Sequence, residues 1–483
     1  MGAPRRIAFG TLARSTGELL GKLASLAFFV VVARELGEEQ FGDFVFGMAL
    51  STVLMLVAGL GMQELIAREV AKDRGRADDL LWNVIVIKAL MMVALLFVIA
   101  GVVALQGRSL ESAVAILIVG AGIGLEYQAG TLYAIFDGTE RQQYVATTLV
   151  VNRTVTAVMG ITAALAGAGL VTIAILFTAG SALGVVVAYW LMRRYVMRPR
   201  VHVEPRSWGR LIRTSLPLGI LTLLGTLSFR TSVVLLGLFA AGTAAVGEYG
   251  AAYRLIEATL FIATAFNAAA LPWFSRRDPD SIVHGFELAI KTVVALMLPV
   301  GLGLALFAEP VIETLYGAEY DGAVTPLRVL GVMTALWGVN ATIVTILVSR
   351  DRPDVYTVPA LIALVPNLVL SALLIPPHGA NGAAIAAVAA SALLVVLVVP
   401  RTAQLFGSVA WGRILAAPVA AGAAMAATAT VLSSAPWVLA ALVSAAVYSA
   451  AFLVIERLFV PGDFAFYVSA LPGSRSRAGR TTA

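Results

Sequence analysis

The sequence predicts an all-α integral membrane protein with about fourteen transmembrane helices. Three observations carry this. The chain of 483 residues is 60% apolar and 13% charged, where soluble domains are about 45–50% apolar and ~25% charged. Its apolar residues fall into runs long enough to span a bilayer, and its cations gather on alternate connections between those runs. About 290 apolar residues, at ~20 per crossing, allow roughly fourteen crossings and leave no material for a large domain outside the membrane. A folded surface needs polar cover that this composition cannot supply. A soluble enzyme, a nucleic-acid-binding domain and a disordered chain are therefore excluded.

In chain order, spans are expected at 9–33, 43–65, 81–104, 112–136, 144–167, 170–192, 214–239, 246–273, 286–308, 326–348, 355–375, 380–400, 413–432 and 436–459. Arg5 and Arg6 before an apolar run imitate a signal peptide. Arg14, Glu18 and Lys22 interrupt that run and no cleavage site follows, so it reads as a retained first span. Pro217, Pro299, Pro359 and Pro366 fall inside spans and are expected to kink them. A basic stretch between the sixth and seventh spans divides the chain. The expected organisation is a six-helix bundle at 7–195, a basic cytoplasmic linker at 196–213 and a second six-helix bundle at 214–404. Two appended helices at 411–460 and a basic disordered tail at 471–483 complete it.

The cations set the orientation. With the N-terminus inside, 24 of the 34 Lys and Arg residues lie on inner segments, three (Arg34, Arg108 and Arg328) on outer ones, and the other seven within spans. Cytoplasmic segments carry such an excess. Both termini are thus expected in the cytoplasm, with the chain in the cell membrane. The net charge of +6 follows from topology and needs no nucleic-acid partner. There is no cysteine, and His202, His284 and His378 all fall in loops. HExxH, GxxxxGK[ST] and GxSxG patterns are absent, so no metal and no cofactor is expected.

The two halves repeat each other. Leu19-Leu20-Gly21-Lys22-Leu23 in the first span matches Leu223-Leu224-Gly225-Thr226-Leu227 in the seventh. Phe41-Gly42-Asp43-Phe44 matches Val246-Gly247-Glu248-Tyr249 at nearly the same offset. Duplicated transporters place their substrate site between such halves.

With the xG(D/E)(F/Y) turn after the first span, the Gly59-Leu60-Gly61 end of the second running into Leu65-Ile66-Ala67-Arg68-Glu69, and the fourteen-span layout, the chain resembles the Wzx-type lipid-linked oligosaccharide flippases of polysaccharide biosynthesis. These belong to the superfamily that includes MATE multidrug exporters and lipid II flippases. The resemblance implies two six-helix bundles in a pseudo-two-fold V around a central cavity. It also implies a polyprenyl-(pyro)phosphate-linked glycan carried from the inner to the outer leaflet.

Charges within spans carry the mechanistic reading, because an ionisable residue there faces a cavity or a partner. Lys22, Lys88, Arg153, Arg230 and Arg254 are mid-span cations, and Glu126 and Glu257 are mid-span acids. Arg14, Glu18 and Lys22 share one helix face by their i, i+4, i+8 spacing. The functional reading is a cationic cavity in which Arg230, Arg153, Lys22, Arg254, Arg14 and Lys88 bind the phosphates, since Arg makes two-point bonds to phosphate oxygens. Glu126, Glu257 and Glu18 are the candidate coupling acids. The blander readings are specific to each residue. Arg14 and Glu18 would lie in the inner headgroup zone, Lys88 would snorkel to the interface, and Arg254 would pair with Glu257 three residues on. Arg230 and Arg153 have no acid nearby on their own helices, which makes them the first choice for substrate.

Four functions compete. A flippase, with the lipid-linked glycan and membrane lipids as partners and acting as a monomer, agrees with the excess of mid-span cations. A MATE-like small-molecule exporter coupled to a cation would rest on Glu126 or Glu257. A membrane glycosyltransferase or polymerase would need a larger outer loop than Glu309–Thr325, whose acids lack a basic partner. A scramblase without directional transport leaves no distinguishing mark in the sequence.

Overall fold

The computed structural model describes residues 3–239, 242–274, 279–350, 352, 354–406 and 409–461. Among the described residues the regular structure is all helical. The helices, in order, are α1 (Ala3–Gly59), α2 (Met62–Lys72), α3 (Ala77–Leu105), α4 (Leu110–Gly138), α5 (Gln142–Leu165), α6 (Leu170–Tyr195), α7 (Trp208–Phe239) and α8 (Ala244–Thr259). They continue with α9 (Phe261–Phe274), α10 (Pro279–Leu306), α11 (Ala308–Tyr316), α12 (Val324–Ser349), α13 (Asp354–Phe406), α14 (Trp411–Val431) and α15 (Trp437–Phe459). Ten helices among the described residues are long and apolar enough to cross a membrane. The basic tail at 471–483 lies outside the described residues.

Local chemistry explains the boundaries. Asp73 accepts a hydrogen bond from the Gly75 amide at 2.9 Å and turns the chain between α2 and α3. Asp78 and Asp79 then sit in the first turn of α3, where the helix dipole favours negative charge. Ser109 caps α4 by accepting from the Ser112 amide. Arg193 and Arg194 close α6 with the opposite sign. The amphipathic α2 buries Met62, Leu65, Ile66 and Val70 and leaves Glu69 with Lys72 at 3.0 Å and with Arg76. The Lys72 hydrogen bond holds the Glu69 carboxyl below its usual range.

Among the described residues, two of the α-helices carry a φ/ψ break, and in both it falls on glycine. Gly37 (φ 75°) divides α1 and Gly379 (φ 51°) divides α13. A β-carbon would make those backbone angles costly. Pro217 and Pro299 sit inside α7 and α10, which run on as continuous helices.

Two compact units emerge. The first comprises 1–258, 312–326 and 357–390; the second comprises 259–311, 327–356 and 391–483. In the first, the core on the α2 side packs Ile66, Leu81, Val84, Ile135, Phe136 and Met192 from α2, α3, α4 and α6. The outer faces stay apolar: α3 exposes Leu90, Val93, Phe97 and Leu105, a surface that belongs in lipid. In the second unit, α14 and α15 pack on each other and on α10, with Ala417, Ala421, Met425, Tyr448 and Phe452 in contact with Ala295 and Leu302. The Tyr448 hydroxyl donates to the Ala295 carbonyl at 3.0 Å. The chain is a multi-pass membrane protein.

Candidate functional site

The charged residues of the first unit converge on α1, α4, α5, α7 and α8. Glu257 accepts from Arg230 Nη2 of α7 at 3.0 Å through one carboxylate oxygen, and from Arg254 Nη1 at 2.7 Å through the other. The i, i+3 spacing foretold the second bond. The first crosses between helices and was invisible in the sequence, where Arg230 had no acid within reach. Arg254 also lies over the Phe29 ring at 3.6 Å and points a second nitrogen at Met48 Sδ. Arg230 lies 5.8 Å from the Tyr253 ring centroid.

Arg153 is held differently. Its Cδ would stand 2.8 Å from a β-carbon at position 21, so the arginine of α5 crosses α1 where Gly21 gives it room. The charges of Glu18, Glu257 and Arg153 all act on Lys22, and those of Arg153 and Arg254 act on Glu126. Glu126 is exposed although it lies midway along α4, and the Ser181 hydroxyl reaches it at 3.5 Å. Lys22, Arg153, Arg230, Arg254, Glu18, Glu126 and Glu257 thus form one electrostatic cluster of four cations and three acids. Among the described residues, Lys22 and Arg153 make no ion pair. The Arg14 side chain lies outside the described residues.

Lys88 does not snorkel. It is 3% exposed, and its ammonium donates to the Tyr127 carbonyl at 3.2 Å and to Thr131 Oγ1 at 3.0 Å. It borders a cavity of about 40 Å³ with Gln63, Glu64, Tyr127, Gly61 and Gly219, large enough for water. The charge of Glu64 acts on it. Lys88 therefore borders a small chamber whose other walls include Leu56, Leu60, Leu216, Ile220 and Leu223.

Backbone contacts through glycine lie along the same helices. Gly42 meets the backbone of Thr243 and Gly247, and Gly247 meets that of Glu38. The two copies of the xG(D/E)(F/Y) motif, expected as turns but helical in α1 and α8, therefore touch each other. Near the other ends of these helices, Gly61 meets Ser215 and Gly219 so closely that a β-carbon on either glycine would strike backbone. A lock escaped the sequence reading on the Gly42 side. Asp43 takes Arg108 and the Ser112 hydroxyl, while Arg108 Nη2 donates to the Gly237 carbonyl of α7 at 3.0 Å and stacks over Phe46. Arg108 had been read only as an outer-loop cation; the acid of the repeated motif, Asp43, was the available signal. A second omission lies in the other unit, where Lys291 of α10 and Glu456 of α15 form an ion pair at 2.7 Å with 2% and 0% exposure. Both sit near span ends, so neither stood out as a mid-membrane charge. No cluster of three or more metal-ligating side chains occurs among the described residues.

Relatives agree with this architecture. Over 93% of this chain and 100% of the other, the fold superimposes on the lipid II flippase MurJ in an inward closed conformation, with a TM-score of 0.80 at 14% identity. It superimposes on an inward-facing multidrug resistance MATE family transporter of the MOP superfamily with a TM-score of 0.66 at 18% identity, covering 80% and 94% of the two chains. A stretch of 145 residues, 29% of this chain, is 26% identical to the probable low-salt glycan biosynthesis flippase Agl15 of Haloferax volcanii. That match spans about a third of the length of Agl15, 31%. The family model described as polysaccharide biosynthesis protein matches residues 7–277, more than half of the chain. The protein belongs to the polysaccharide biosynthesis protein family.

Proposed function

We propose that the protein is a flippase that carries a polyprenyl-(pyro)phosphate-linked oligosaccharide from the cytoplasmic to the outer leaflet of the cell membrane, for assembly of surface polysaccharide or glycoconjugate. It is a carrier and not an enzyme in this reading. The observation that carries the proposal is the pair Lys22 and Arg153, two neighbouring cations without an ion pair among the described residues, inside a bundle with apolar outer walls. Charges in such a place face a substrate path. Glu257 holds Arg230 and Arg254 by direct hydrogen bonds, so the phosphates fall to Lys22 and Arg153, which make no ion pair among the described residues. Arg230, first choice on sequence grounds, becomes a supporting residue that orients Glu257 and Arg254. The likeness to MurJ and to Agl15, both named as flippases, supports the same reading.

Fourteen crossings follow if α1 and α13 each cross twice about their glycine breaks and α7 and the α8–α9 pair each cross once. The crossings then comprise two sets of six followed by α14 and α15, with both termini inside. Alternating access through the cluster moves the headgroup.

The test is complementation of surface-glycan assembly, scored beside the amount of protein in the membrane. Arg153→Gln and Lys22→Gln should each abolish glycan export at unchanged protein level. Arg153→Lys should restore part of it, because an ammonium keeps the charge but loses the planar two-point contact. Full export by both Gln variants would refute the assignment. A MATE-like exporter is the second reading, favoured by one feature: the exposed Glu126 carboxylate, with the Ser181 hydroxyl at 3.5 Å.

A further inference from the structure

The linker between α6 and α7 is held in one shape. Asn83 of α3 is 2% exposed, yet its side chain is fully engaged. Its Oδ1 accepts from the Glu204 amide and from Trp208 Nε1, both at 2.8 Å. Its Nδ2 donates to the Asp79 carbonyl at 2.7 Å and to His202 at 3.4 Å. Asp78 accepts from the Arg200 amide at 3.0 Å, and Arg141 donates to the Tyr195 carbonyl. Topology alone demands positive charge in this segment. It does not demand a buried asparagine that fixes the path of the backbone.

The fixed path presents arginines. Arg193, Arg194, Arg198, Arg200, Arg206, Arg210 and Arg213 are all exposed, and none makes an ion pair among the described residues. At the start of α7, Trp208, Leu211 and Ile212 turn onto the core, which leaves Arg206, Arg210 and Arg213 as a stripe at near-helical spacing. The depth of the stripe is marked by aromatic residues. Trp190 and Tyr195 are 56% and 44% exposed at the end of α6, with Arg194 over the Tyr195 ring at 5.3 Å. Exposed Trp and Tyr of this kind sit at the level of lipid headgroups.

We infer that this arginine platform is a binding surface for anionic phospholipid headgroups of the cytoplasmic leaflet. Guanidinium groups bind phosphodiester oxygens by charge-assisted, two-point hydrogen bonds, and the pinned linker holds several of them in register with the headgroup layer. The inference is independent of which substrate the cluster on α1 and α5 carries.

The full-length protein in neutral detergent is exposed to equal amounts of phosphatidylglycerol and phosphatidylcholine, and the lipid it retains is counted by mass spectrometry of the intact protein. The wild type should retain phosphatidylglycerol preferentially, and the preference should fade with salt. The triple change Arg206→Gln, Arg210→Gln and Arg213→Gln alters only exposed side chains. It should lower the apparent affinity roughly 100-fold, at about fivefold per cation. Arg328→Gln, on an exposed residue far along the sequence, should leave retention unchanged. Equal retention of the two lipids by the wild type, or undiminished retention by the triple variant, overturns the inference. Displacement of phosphatidylglycerol by a trace of polyprenyl phosphate overturns it too, since the surface would then belong to the substrate.

Discussion

Arg230 and Glu257 are 27 residues apart in sequence and 3.0 Å apart in space, and the same carboxylate holds Arg254 at 2.7 Å. One acid therefore serves two arginines, and the acid is the member whose loss matters most.

Glu257→Ala strands two partly buried guanidinium groups, whereas Arg254→Ala leaves Glu257 with Arg230. The first change should destabilise the protein by roughly 2–3 kcal/mol, below the 3–5 kcal/mol of a fully buried pair because Glu257 is one-third exposed. The second should be milder. Thermal unfolding of both variants in detergent tests the order, and equal losses would refute it.

The Lys291–Glu456 pair is the sharper case, since both side chains are buried. Lys291→Ala or Glu456→Ala alone should lower stability by about 3–5 kcal/mol. The double change Lys291→Met with Glu456→Leu should be neutral or better, because it removes two desolvated charges together. A double variant less stable than the wild type would show that the pair is net favourable.

Gly219→Ala places a methyl against the backbone of Gly61, which cannot yield as a side chain would. The contact must open, at about 1–3 kcal/mol for overpacking. The protein has no native cysteine, so a single cysteine replacing Leu223, on the wall of the Lys88 chamber, reports the change cleanly. Its reaction with a soluble maleimide should accelerate at least tenfold in Gly219→Ala and remain unchanged in Gly42→Ala, which acts at the other end of the same helices.

Orientation can be tested with the same reagent in intact cells. Cysteines replacing Glu111 and Glu309, both exposed, should react from outside, and one replacing Glu204 should react only after permeabilisation. Labelling at 204 from outside would invert the proposed topology.

The helices were legible because apolar runs bounded by charge leave few other structures open in lipid; the runs fall on helices, although 43–65 crosses the Leu60-Gly61 break between α1 and α2, 246–273 covers both α8 and α9, and 286–308 crosses from α10 into α11. The charge cluster was half legible. Arg254 and Glu257 share a helix, so their spacing revealed the bond; Arg230 and Glu257 meet only when α7 packs beside α8, and no local spacing records that. Lys88 was visible as a mid-span cation, but its bond to the Tyr127 carbonyl belongs to the packing of α3 on α4. The breaks at Gly37 and Gly379 fall in the expected connections between spans 9–33 and 43–65 and between 355–375 and 380–400. A proline inside a helix loses one hydrogen bond and need not leave helical φ/ψ, whereas Gly37 and Gly379 take positive φ. Lys291 and Glu456 were overlooked because depth was judged along each span separately, while their burial is created jointly by α10 and α15.

That last pair also imposes an order on biosynthesis. Glu456 follows Lys291 by 165 residues, so at ~5–20 residues per second the ribosome needs roughly ten to thirty seconds to deliver the acid after the lysine. During that interval α10 is already made but its buried ammonium lacks this carboxylate. The second unit can reach its native packing only after α15 has been synthesised, and a nascent chain stalled between α10 and α15 would offer membrane proteases a helix that still lacks this contact.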